Sequence, residues 1–167
     1  MKLKFIPFVI MLLASTAYAD ANWGVQVDDD VFSGGKTATM IGILLSGDAV
    51  FFECNGGDKI TVSLVSKVDN KISFDPPVPA DLFIKIDENK AVKLNALIKR
   101  RNSSFVGAES SDRNSILTLL KQLQSAKKKI IVGLSDKAGG VKNQYPGEVQ
   151  NSTSSVSTFV EACKIKL

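Results

Sequence analysis

Over most of this chain, apolar and polar residues alternate with a period of two, and no other feature constrains its fold as much. A period of two sends alternate side chains to opposite faces of an extended strand. Trp23, Val25 and Val27 share one face of a first strand. Thr37 to Leu45 is a longer β-branched and apolar run that ends at Ser46-Gly47-Asp48. Val50, Phe52 and Cys54 alternate with Phe51 and Glu53, then Ile60, Val62 and Leu64 with Thr61 and Ser63. Asn55-Gly56-Gly57-Asp58 lies between these two runs, and glycine reaches positive φ at no steric cost, so 49–54 and 59–66 read as a hairpin. A second hairpin, 81–87 with 91–100, turns at Asp87-Glu88-Asn89-Lys90. Phe105 to Ala108 is a short strand, and Ile130, Val132 and Leu134 belong to another.

Two segments break the period. Ile116, Leu119, Leu120 and Leu123 fall at i, i+3, i+4 and i+7, one helical face, with Ser111 or Asp112 as N-cap. Lys127, Lys128 and Lys129 are expected at that helix's C-terminal end, where the dipole favours cations. Val156, Phe159, Val160 and Cys163 repeat the spacing in a second helix, with Ser152, Thr153 and Ser154 as candidate caps. Val68 to Ala80 holds Pro76, Pro77 and Pro79 and reads as a loop or sheet edge, because proline cannot donate to a central ladder. Gly139-Gly140 to Gly147, with Pro146, reads as a loop. The expected fold is mainly β with some α: an antiparallel β-sandwich or curled sheet with two amphipathic helices.

Residues 1–19 read as a secretory signal peptide: Lys2 and Lys4, the apolar run Phe5 to Ala14, then Ala17-Tyr18-Ala19 before Asp20. The apolar run is shorter than the ~20 residues of a spanning helix. Its removal leaves 148 residues as a single β-rich domain, 20–167, with a formal net charge of +2 rather than +4. So small a charge, in an exported chain, argues against nucleic acid as a partner. Export also permits oxidation of the only two cysteines, Cys54 and Cys163, and a bridge between them is expected to pin the last helix to the sheet.

The chain has no histidine, which removes His-based triads, imidazole bases and most transition-metal sites. No complete catalytic motif replaces them, so no catalytic residue, cofactor or metal site is assigned. Gly34-Gly35-Lys36-Thr37 resembles the end of a phosphate-binding loop, but Asp30 stands where its first glycine belongs. Ser125-Ala126-Lys127-Lys128 matches S-x-x-K at the wrong end of a helix, without true companions in Ser135-Asp136-Lys137 or Lys36-Thr37-Ala38. Asp28-Asp29-Asp30 lacks calcium-loop spacing, and three consecutive strand residues do not face one way. Asp81, Asp87, Glu88 and Glu109 are the carboxylates available for acid–base work, if two converge in a cleft.

Two surfaces are candidates for binding. The loop 68–80, with Phe74 beside Pro76, Pro77 and Pro79, and the loop 137–148 are expected contact regions, since loops on a rigid scaffold commonly carry binding. Lys99, Arg100 and Arg101, together with Lys127, Lys128 and Lys129, are a candidate surface for an anionic partner.

In order of features the chain resembles a group of small exported proteins accessory to type VI secretion. The resemblance is carried by Trp23 opening the first strand and Asp28-Asp29-Asp30 ahead of Thr37 to Ile41. It continues with Cys54 ending a strand, Ile86-Asp87, Leu117 to Gln124 leading into Ile130 to Val132, and Phe159 to Cys163. More loosely the chain is similar to the invasion-associated locus B family, which carries further cysteines. It departs from the first group where a Ser-Pro-x-Asp-Asp-like stretch is expected, and at Glu53, where an arginine is expected. The resemblance implies a periplasmic accessory protein and transfers no binding residue.

The functional expectation is an exported, periplasmic or secreted, cell-envelope protein that acts by protein–protein interaction, as a secretion accessory or virulence-associated factor. The alternatives are an inhibitor of a wall-degrading enzyme and a small carboxylate-dependent hydrolase.

Overall fold

A computed structural model describes residues 22–32, 34–56, 59–69, 73–137 and 142–167. The expected signal peptide lies outside them. Strands β1 (Trp23–Asp30), β2 (Gly35–Ile43), β3 (Ala49–Asn55) and β4 (Ile60–Lys67) come first, followed by β5 (Val78–Ile86), β6 (Val92–Arg100) and β7 (Phe105–Ser110). Helix α1 (Arg113–Gln124), β8 (Lys129–Asp136), β9 (Lys142–Glu148) and α2 (Ser152–Ala162) complete the chain. The nine strands of the described residues form one antiparallel sheet in the order β1-β2-β3-β4-β7-β6-β5-β8-β9.

The period-two faces come out as expected. Met40, Phe52, Val62, Leu82, Ile84, Leu94, Ile130 and Val132 are buried on one face, and the amphipathic faces of α1 and α2 pack against it through Ile116, Leu119, Leu120, Leu123, Val156 and Phe159. The sheet curls around its helices rather than facing a second sheet. Its two ends meet at one corner: Leu44 bridges to Gly147, Leu45 N donates to Pro146 O at 2.9 Å, and Trp23 Nε1 donates to Glu148 O at 2.8 Å. Trp23 is fully buried and lies directly on Gly42, where a Cβ would collide with the indole ring. Glycine is required there because the ring occupies the side-chain position.

The disulfide joins Cys54, at the end of β3, to Cys163, the C-cap of α2. It closes a sequence separation of 109, for which chain-entropy reasoning gives about 4–5 kcal/mol in a model-dependent estimate.

Four local expectations are corrected. The segment 142–148 is strand β9, not loop; as an edge strand hydrogen-bonded along one side by β8, it tolerates Pro146. Pro79 lies in β5 opposite Leu97, and it is tolerated because β8 begins to pair with β5 only at Ala80. Lys127–Lys129 do not end α1, whose last turn holds Lys121; the helix stops at Gln124 and Lys129 opens β8. The α2 cap is Asn151, left-handed at φ 68°, rather than a Ser or Thr. Its side chain donates to Trp23 O at 3.0 Å, while Ser152 is buried with its Oγ donating to Leu123 O at 3.0 Å. Packing at the sheet corner thus moves the helix start back by one residue.

Candidate interaction site

Among the described residues, the most exposed large apolar side chains are at the tip of the β1–β2 hairpin. Val31 is 83% exposed and Phe32 is 98% exposed. Asp30 sets the turn: its carbonyl accepts Gly34 N at 2.8 Å, and its Oδ1 accepts Phe32 N at 3.0 Å, the side-chain bond that makes Asp a turn former. Gly34 then takes φ +67°. The next residues back along β1, Asp28 and Asp29, are exposed, so the apolar tip carries an acidic collar. Beside it a groove of about 550 Å³ runs between the hairpin and the end of α2, lined by Val27, Asp29, Lys36, Thr158, Glu161 and Lys164. The disulfide holds that end of α2 to β3. An apolar finger on a fixed base is suited to entering an apolar pocket with a basic rim.

Reading the sequence did not single out Val31 or Phe32. The available signal was an apolar pair between an acidic run and a Gly-Gly turn, a place where no core position exists for it.

The expected contact loop is only partly described. Phe74 is half-buried, whereas Pro76 and Pro77 are exposed, as is Pro79 in β5.

The two basic runs do not form one surface. Lys99 sits near the far end of β6 from Val92, which shares a row with Val132 near the Lys129 end of β8. Seven residues of β6 at about 3.4 Å each put them over roughly 20 Å apart. The first run is also committed internally. Lys99 pairs with Glu109 at 2.8 Å, and Arg100 donates to the carbonyls of Asp69, Asn102 and Ser103. Arg101 makes a two-pronged pair with Glu53 at 2.7 and 2.9 Å, donates to Ser63 Oγ and stacks over Phe51, 5.0 Å from the ring centre. The hydrogen bonds to Glu53 raise its pKa further. Glu53, a point of departure from the secretion-accessory pattern, therefore has a structural partner here. Lys127, Lys128 and Lys129 have exposed side chains, but their backbone N–H groups all donate to the Asp87 carboxylate, at 2.7, 2.8 and 2.9 Å.

The candidate carboxylates are not brought together. Asp81 lies between Lys93 and Lys137, whose hydrogen bonds hold its pKa below the usual range. Glu109 sits two strands away, on β7, paired with Lys99. Asp87 is capped by backbone donors, and Glu88 is exposed in the turn. Among the described residues no group of three acids or cysteines is placed to hold a metal ion. No helix among them is long and apolar enough to cross a membrane.

Compared with protein-family models, curated proteins and solved structures, the chain matches none.

Proposed function

We propose that this is an exported cell-envelope protein that binds a protein partner through the β1–β2 hairpin tip and the groove beside it. The observation that carries this reading is the Val31–Phe32 tip, nearly free of contact on a hairpin whose neighbouring helix is fixed by the disulfide. Loss of this pair costs the folded chain little, so the fold supplies no reason for two large apolar side chains in water. The exposed Asp28 and Asp29 favour a protein pocket with a basic rim over an anionic bilayer surface. A secretion-system accessory role remains within this reading, on the order of features described above. An apolar finger on a rigid base also suits an inhibitor that enters the cleft of a wall-degrading enzyme.

The test is a photo-crosslinking residue placed at position 32 and, separately, at Lys67 on the opposite end of the sheet's strands, in the native host. A partner captured from position 32 and not from 67 is then purified and titrated with the wild-type chain and with Phe32→Ser. The expected result is saturable binding that weakens about tenfold or more in the variant, in line with truncating an aromatic anchor. Equal binding by Phe32→Ser, or equal capture from both positions, refutes the proposal. If the captured protein is a muramidase and its activity falls on binding, the inhibitor form of the reading holds.

A further inference from the structure

The outer face of the sheet has a gap in it. Elsewhere long side chains lie over this face: Arg101 covers Gly107 and Phe51, and Lys93 and Lys137 cover Asp81. At β8 the outward position between Phe83 and Gln144 is Gly133, which pairs with both. A glycine inside a central strand weakens it and commonly marks a close approach by another group. For Gly42 that group is Trp23, and for Gly107 it is the Arg101 stem. Gly133 differs. A Cβ there meets nothing closer than Phe83 Cβ at 3.4 Å, which is ordinary contact.

The missing side chain opens a groove of about 380 Å³, within the usual size of small-ligand sites. Its walls are Phe83 and Ile131, both half-buried, with Gln144 on the β9 side. Lys93 Nζ lies 5.6 Å from the centre of the Phe83 ring. Lys85 and Lys142 stand two residues from the Gly133 row in opposite directions, and both line the groove. Neither has an ion pair with a described residue. The groove thus combines an aromatic wall, a slot one side chain deep over half-buried peptide, and two cations without an ion pair among the described residues.

We infer that the Gly133 groove binds a small planar ring bearing a carboxylate, with the ring against Phe83 and the carboxylate at one end of the slot, held by Lys85 at one end or Lys142 at the other. The slot over Gly133 accepts a flat body; the lysines select for an anion on it.

The test uses the disulfide-bonded chain and four probes: 2-naphthoate, 2-naphthylmethanol, octanoate and inorganic phosphate. Binding is followed by backbone amide shifts. The expected result is saturable shifts from 2-naphthoate centred on Phe83, Ile131, Gly133 and Gln144, with affinity roughly tenfold or more above that of the uncharged ring. Phosphate is expected to give no saturable shift there. Gly133→Val plugs the slot with a residue that suits a strand, so binding should be lost while the thermal midpoint stays level or rises. Lys85→Gln combined with Lys142→Gln should weaken 2-naphthoate to the level of 2-naphthylmethanol. No saturable shift from 2-naphthoate, or unchanged binding by a folded Gly133→Val chain, overturns the inference. Octanoate binding as tightly as 2-naphthoate overturns the planar-ring assignment, and phosphate binding at the same amides overturns the need for a ring.

Discussion

Replacing Asp87 should destabilise this protein far more than its position in an exposed turn suggests. Three backbone N–H groups, those of Lys127, Lys128 and Lys129, converge on its carboxylate at 2.7–2.9 Å, across 40 to 42 residues of sequence. They tie the exit of α1 and the start of β8 to the end of β5. A hydrogen bond to a charged group nets about 1.5–3 kcal/mol, and less where water competes. Asp87 is half-exposed, so about 1 kcal/mol each is the appropriate scale, or about 3 kcal/mol together. Its backbone is left-handed at φ 49°, which adds about 1 kcal/mol for alanine and nothing for glycine. The expected losses are therefore about 4 kcal/mol for Asp87→Ala and about 3 kcal/mol for Asp87→Gly. Asp87→Asn keeps one acceptor oxygen and tolerates the backbone, and should lose about 1–2 kcal/mol. Urea unfolding read by the fluorescence of Trp23, the sole and fully buried tryptophan, measures all three. The pH dependence supplies a second arm. Burial pushes the Asp87 carboxyl up, but the N–H groups of Lys129, Lys127 and Lys128, with the Lys128 charge, outweigh it and hold the pKa below the ordinary 3.8. A depressed folded pKa means the stabilisation is present above the unfolded value and is lost as pH falls through the folded one. The gap between wild type and Asp87→Asn should thus be full at neutral pH and shrink once pH falls below 3.8. An Asp87→Gly chain within about 0.5 kcal/mol of wild type, or a gap that acid leaves unchanged, would refute the reasoning.

Other outcomes follow from the same structure. Cys54→Ser with Cys163→Ser should lose about 4–5 kcal/mol, read as a shift in urea midpoint against the oxidised wild type; a loss under about 1 kcal/mol contradicts the chain-entropy account of the bridge. Gly42→Ala should cost about 1–3 kcal/mol by driving its methyl into the Trp23 ring, with an accompanying change in Trp23 emission; calorimetry showing an unchanged melting temperature rules this out. A double-mutant cycle on Glu53→Gln and Arg101→Lys should return a coupling of about 1 kcal/mol or somewhat more, because the pair is two-pronged and about three-quarters buried on both sides. Coupling near zero there would mean the pair is merely a surface contact. Phe32→Ser should leave the urea midpoint within about 0.5 kcal/mol of wild type, since the side chain touches almost nothing; a large loss places Phe32 in the fold rather than at a docking tip.

The strands that bury one full face were legible because burial imposes alternation on the residues themselves. Val50-Phe52-Cys54 and Leu82-Ile84-Ile86 show it without any knowledge of their neighbours. β9 was not legible, since Lys142-Asn143-Gln144-Tyr145-Pro146-Gly147-Glu148 lies at the end of the sheet order with little to bury, and its outer side is bonded only near Pro146 and Gly147, by residues about a hundred positions away. Its identity as a strand comes from β8. The basic runs looked like sites because charge is visible in a sequence and counter-charge is not: Glu53, Glu109 and the Asp69 carbonyl are brought to Lys99–Arg101 only by the fold.

By itself, then, the sequence determined the antiparallel β class, the two amphipathic helices and the pairing of the two cysteines, all properties written in local periodicity or in simple counting. The tertiary structure alone decided that the sheet curls rather than doubling into a sandwich. That choice rests on contacts between residues more than a hundred positions apart, with Trp23 on Gly42 and bonded to Glu148, and Leu44 on Gly147. It likewise decided which surfaces stay open. Val31 and Phe32 left a local trace, an apolar pair between an acidic run and a Gly-Gly turn, but the gap over Gly133 is set by what other strands place beside it, and no local pattern encodes a neighbour that never arrives.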